Sequence, residues 1–159
     1  MTPKMLPVLN FSDLAVGDTW ESPRRTITEA EVVLFAGLTG DFNPLHVDHV
    51  AAKEGPFGKP VAHGLLGLSI STGLISQSLR VDTMAFLGIL EWKFLHPIHF
   101  GDTIHTVSTV VELEPKSKGR RGVVTWSRRV LNQNGEVVQE GKTQTLVRGK
   151  TGENQGSKN

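Results

Sequence analysis

The chain of 159 residues contains no cysteine, which excludes a disulfide framework, a thiolate metal site and a cysteine nucleophile together. Its fold must rest on packing. Neither sign of charge dominates, since 17 Lys+Arg face 16 Asp+Glu for a net charge of +1, so the broad basic surface that holds nucleic acid is missing. No apolar run approaches the roughly 18 residues a membrane-spanning helix needs. The N-terminal stretch MTPKMLPVLN has no apolar core of signal length either. These absences lead us to expect a cytoplasmic protein with neither nucleic acid nor membrane as partner. At this length one globular domain is the natural reading. We place it at residues 13–148, with a loose N-terminal segment 1–12 containing Pro3 and Pro7 and a flexible, Gly-rich polar tail 149–159.

Within the domain, Thr28 followed by Glu31 forms a capping box that opens a helix running through Val32, Phe35 and Leu38 toward Gly37–Gly40. A polar turn, GDFNPLH, comes next, then a short helical stretch at Asp48–Lys53 ended by Gly55, Pro56, Gly58 and Pro60. From His63 to Leu79 the residues are apolar or small on nearly every face, which predicts a helix buried all round. Gly64, Gly67 and Gly73 each weaken such a helix, so they point to close approach by a neighbour. Strands are expected at Met84–Leu95, Thr103–Glu114, Gly122–Leu131 and Glu136–Val147, rich in Val, Thr, Ile, Phe and Trp. Asn134-Gly135 joins the last two as a hairpin. One further strand is expected over Asp18–Ile27, confined to an edge or bulged by Pro23. A buried helix among long antiparallel strands implies an α+β fold in which a curved sheet wraps the helix. The sheet's open edges predict a homodimer.

Chemistry concentrates in FAGLTGDFNPLH, Phe35 to His46. Asp41 and His46 stand five positions apart across a turn stiffened by Pro44, so a carboxyl and an imidazole can converge on one water and move its protons near neutral pH. Asn43 lies between them. Downstream, PVAHGLLG opens the long helix at His63-Gly64 with its first N–H groups unpaired, a place where a backbone donor can hold a developing oxyanion. His96, His99 and His105 invite a metal reading. We set it aside because alternate strand residues face opposite sides, and expect no metal. Lys116, Lys118, Arg120 and Arg121 sit at a hairpin tip, where solvated charge is the rule.

The segment FAGLTGDFNPLHVD, the His63-Gly64 pair and FLHPIHFGDTI together resemble the MaoC-like dehydratase and R-specific enoyl-CoA hydratase family over roughly Asp13 to Arg148. The resemblance implies a hot-dog fold, a homodimer, and an acyl thioester substrate carried by coenzyme A or by acyl-carrier protein. No cofactor is implied beyond the coenzyme A of the substrate. It further implies syn addition of water to a trans-2-enoyl thioester, with Asp41 and His46 activating the water and Gly64 N–H holding the thioester oxygen. Asn43, His63 and Thr72 are its expected substrate-binding positions; Thr72 stands where related hydratases often have Ser. Two other readings share this architecture: a hot-dog acyl-CoA thioesterase, and a non-catalytic acyl-thioester binding subunit. Against them stands the complete D-x-N-P-x-H loop.

Overall fold

The computed structural model describes residues 7–150, so most of the two terminal segments lies outside the described residues. The stretch just before Asp13, expected to be loose, is attached: Leu9 N–H donates to the Arg80 carbonyl at 2.8 Å, and Phe11 is buried. Strand β1 (Thr19–Glu21) and strand β2 (Arg25–Thr26) replace the single strand expected over 18–27, divided at Ser22–Arg24 where Pro23 removes a backbone donor. Both pair antiparallel with one edge of a later strand, β4 (Thr103–Lys116).

Helix α1 (Glu29–Thr39) opens on the predicted capping box, the Thr28 N–H donating to the Glu31 carboxylate at 2.8 Å. It runs past Gly37 and ends at Gly40, whose φ of 79° is left-handed. The polar turn that follows contains an unexpected helix, α2 (Pro44–Val47). Asn43 caps it by accepting the Leu45 N–H at 3.0 Å, and Pro44 takes the first helical position, where a missing N–H costs nothing. Asp48 accepts the N–H groups of Val50 and Ala51 and so starts α3 (His49–Glu54).

Helix α4 (Gly64–Ile75) is shorter than predicted, and it is not buried on every side. Leu66, Leu68 and Leu74 face the sheet, whereas Leu65, 59% exposed, shares an open face with Ser69, Gly73 and Ser76. The sheet covers only one side. Close approach holds for Gly67, where a Cβ would lie 2.4 Å from Gln139 Nε2, and for Gly64, where it would lie 2.8 Å from the Phe94 ring. It does not hold for Gly73, with nothing within 4 Å.

The sheet continues through β3 (Thr83–Phe94), β5 (Arg121–Leu131) and β6 (Val137–Arg148), in the order β1-β4-β5-β6-β3 with β2 also on β4, and every pairing is antiparallel. It is curved and open. Gly135, with φ 77°, makes the predicted turn between β5 and β6. Two apolar clusters bind α4 to the sheet, one around Leu66, Ile98, Ile104 and Val138, the other around Ile75, Leu79, Val110 and Trp126. Strand β3 differs from the rest. It lies at the edge, its register against β6 shifts three times, and Met84, Phe86, Leu87 and Ile89 are exposed. Among the described residues no helix is long and apolar enough to cross a membrane.

Candidate active site

The loop after α1 and the start of α4 meet, because the His63 side chain reaches back to the loop. Its Nε2–H donates to the Asp41 carbonyl at 3.0 Å, and the same nitrogen lies 3.9 Å from Asp41 Oδ2. His46, on α2, stacks on His63 with ring centroids 3.8 Å apart. Phe35 of α1 closes the other side of His63 at 5.1 Å. His46 is nearly buried, and its Nδ1–H donates to the Val61 carbonyl at 2.7 Å. A carbonyl only accepts, so this bond fixes the tautomer: neutral His46 carries its lone pair on Nε2.

Asp41, His46 and His63 each offer one ligand atom, all within 4.8 Å of one another. A single water fits that spacing, and so does a divalent cation held by two imidazoles and a carboxylate. The Asp41 side chain is 54% exposed and reachable from solvent. Asn43 is engaged within the loop itself: its side-chain Oδ1 accepts the Leu45 N–H and caps α2, and its backbone N–H donates to Asp41 Oδ1 at 3.3 Å.

Gly64 takes the first helical position of α4, where a backbone N–H has no partner within the helix. Together with His46, Phe94 and Gln139 it lines a cavity of about 370 Å³. Gln139, which sequence reasoning missed, is buried and donates to the Gly64 carbonyl at 3.0 Å, fixing the helix start. Its signal was weak: a polar residue in phase with the apolar face of β6. Thr72 lies two turns further along α4, donates to the Ser69 carbonyl, and lines a second cavity instead. The structure therefore brings Asp41, Asn43, His46, His63 and Gly64 together and leaves Thr72 apart.

The remaining histidines are scattered. His96 and His99 lie beyond the end of β3, so alternation along a strand is not what separates them. His96 faces Glu136 at 3.5 Å, His99 bonds the Pro60 carbonyl, and His105 is buried beside Glu21 at 3.2 Å. At the β4–β5 hairpin tip, Lys116 pairs with Glu114, while Arg120 and Arg121 bond Ser117.

A family model described as the MaoC like domain matches residues 13–132. The chain belongs to the MaoC-like family. It is 32% identical over 137 residues to the (R)-specific enoyl-CoA hydratase of Rhodospirillum rubrum, covering 86% of this chain and 90% of that one. With Protein MaoC of Klebsiella aerogenes it shares 39% identity over 94 residues, 59% of this chain but only 28% of that much longer relative. The crystal structure of the MaoC-like dehydratase from Rhodospirillum rubrum superposes with a TM-score of 0.81 at 32% identity, over 90% of this chain and 99% of that one. The helix on a curved antiparallel sheet is thus the hot-dog fold, as the resemblance implied.

Proposed function

We propose that the protein is an (R)-specific enoyl-CoA hydratase, equally able to run as a 3-hydroxyacyl thioester dehydratase. The observation that carries this reading is the tautomer lock on His46, which leaves the lone pair on Nε2, in a cluster whose Asp41, His46 and His63 ligand atoms lie within 4.8 Å of one another, beside the open N-terminus of α4. A water held by Asp41 and His46 gives a proton to Nε2 as its oxygen bonds to C3 of the enoyl group. Charge moves onto the thioester oxygen, where the Gly64 N–H and the helix dipole stabilise it. A proton returned by the same pair to C2 completes the hydration; delivery of both atoms from one side makes the addition syn, and the R product follows if the enoyl group presents to the pair the face of C3 that leads to R.

The open face of α4 and the exposed apolar edge of β3 support a homodimer in which a second copy covers both. Coenzyme A and acyl-carrier protein present the same thioester to this site.

The test is the absorbance of the conjugated thioester on mixing with crotonyl-CoA, followed by chiral analysis. Loss of the band with R-3-hydroxybutyryl-CoA as product is the expected result. An S product overturns the stereochemistry, and free thiol released from saturated acyl-CoA without enoyl turnover moves the protein to the thioesterases. Chelation by EDTA is expected to leave the rate unchanged; loss restored by added zinc would make Asp41, His46 and His63 a metal site.

A further inference from the structure

At the far end of α4 a cavity of about 420 Å³ opens between the helix and the inner face of β5 and β6. Ile75, Leu79, Phe86 and Trp126 give it apolar walls, and Arg128 enters it from β5. Arg128 follows Trp126 by two residues and so shares its inward face. Only 7% of it is exposed. Its Nε donates to Thr143 Oγ1 at 2.9 Å and its guanidinium lies 6.0 Å from the Trp126 ring, but Nη1 is buried with no hydrogen-bond partner. Among the described residues no carboxylate lies within ion-pair distance of it. Burial lowers its pKa to about 10, which leaves it a cation at neutral pH. Arg80 also lines the cavity, and no acidic residue does. A buried charge without a counter-charge is costly. A cavity that keeps one is shaped for an anion.

We propose that this cavity receives the distal end of the acyl chain and that Arg128 selects acyl thioesters ending in a free carboxylate, that is, monothioesters of dicarboxylic acids. The inference rests on the hydratase reading for its placement. Gly64 and Thr72 are eight residues apart on α4, about 12 Å along its axis. The open face through Leu65 and Ser69 lies between them. An acyl chain with its carbonyl at Gly64 and its methylenes along that face ends at the cavity. Apolar walls suit the methylenes, and the guanidinium gives a terminal carboxylate a charge-assisted, bidentate partner. The phosphates of coenzyme A are a second source of negative charge. They are multiply charged and strongly hydrated, which fits the solvent-exposed surface better than the buried Arg128 beside the Ile75, Leu79 and Trp126 walls.

The experiment compares trans-2-octenoyl-CoA with its ω-carboxylated counterpart, trans-2-octenedioyl-CoA, on the full-length protein and on Arg128→Met and Arg128→Lys. The unsubstituted protein is expected to favour the carboxylated ester in kcat/KM. Arg128→Met should lower kcat/KM for that ester by roughly 10- to 100-fold, the effect of removing a hydrogen-bonded charge from a buried partner, and leave the plain ester within about threefold. Arg128→Lys should recover part of the loss. Equal activity of the unsubstituted protein on both esters overturns the proposal, as does an equal loss on both in Arg128→Met, which would place a phosphate of coenzyme A at Arg128.

A measurement that needs no variant is the shift in melting temperature of the unsubstituted protein with suberyl-CoA against octanoyl-CoA. A larger shift with suberyl-CoA supports the carboxylate site even if neither enoyl ester is hydrated, in which case the hydratase reading alone falls. Equal shifts count against the site whatever the turnover.

Discussion

The two ends of α4 handle polar groups in opposite ways. At the N-terminal end the side chains are tied to backbone carbonyls: His46 to Val61, His63 to Asp41, and Gln139 to Gly64. Tautomer, ring stacking and helix start are all set before any substrate arrives, which is the preorganisation that acid-base and oxyanion chemistry require. At the C-terminal end Arg128 holds a single side-chain bond, to Thr143, inside apolar walls. One end is finished by the protein. On the proposals above the other is finished by a bound carboxylate, so changes at the first should act on turnover of every acyl group and changes at the second on the choice among them.

The largest expected effect breaks the first end. His46→Gln or Asp41→Asn should lower kcat for every enoyl-CoA by about 10²- to 10⁴-fold, the usual range for loss of a general acid or base, with circular dichroism unchanged. A variant that keeps a tenth of the activity on any chain would show that the pair does not carry the chemistry. Next comes the proposed cover over the open face of α4. Introducing charge at the edge of β3 away from the Arg128 cavity, as in Leu87→Asp with Ile89→Lys, should turn the proposed dimer into a monomer on light scattering and reduce turnover of long acyl chains more than that of crotonyl-CoA. A monomer fully active on long chains would mean that one copy builds the whole acyl path.

A smaller effect concerns the tie between α4 and β6. At Gly67 an added methyl meets the buried Gln139 amide at 2.4 Å and Ile98 Cδ1 at 2.7 Å. Gly67→Ala should therefore cost about 1–3 kcal/mol in denaturant unfolding, the usual range for overpacking, and loosen the bond that holds Gly64. Unchanged stability would show that Gln139 swings away freely, and that the helix start is held by His63 instead.

Much of this was legible because it is local. The Thr28–Glu31 box, the Asn134-Gly135 turn and the D-x-N-P-x-H loop each encode their geometry within a few residues, and the structure reproduces the first two as turns and caps. The open face of α4 was not legible. Apolar and small residues on all sides of a helix do not say which side a sheet will leave bare, and that depends on β3 lying at the edge. Helix α2 was hidden by its length, since four residues show no period. Arg128 was hidden by Arg129 beside it. The period-two phase of Val124, Trp126, Arg128 and Val130 does put Arg128 on the apolar face, and all four are buried, but a pair of arginines reads first as surface charge.

The smallest predicted effect serves as a control away from α4. His105, on β4, is buried with Nδ1 unpartnered. Burial pulls its pKa below the ordinary 6.5, Glu21 works against that shift, and Arg24 adds to it. The folded state therefore prefers the neutral ring. Above pH 6.5 its contribution is fully present; as pH falls below that value the unfolded chain takes up a proton that the folded chain resists, and stability declines until the lower, folded pKa is passed. The melting temperature should accordingly drop between pH 7 and pH 5.5, by less in His105→Asn than in the unsubstituted protein. An equal drop in both would place the acid sensitivity elsewhere. With this contribution removed in His105→Asn, whatever acid sensitivity of the fold remains belongs to groups other than His105, and the difference between the two melting curves measures what the sheet's buried imidazole beside Glu21 contributes.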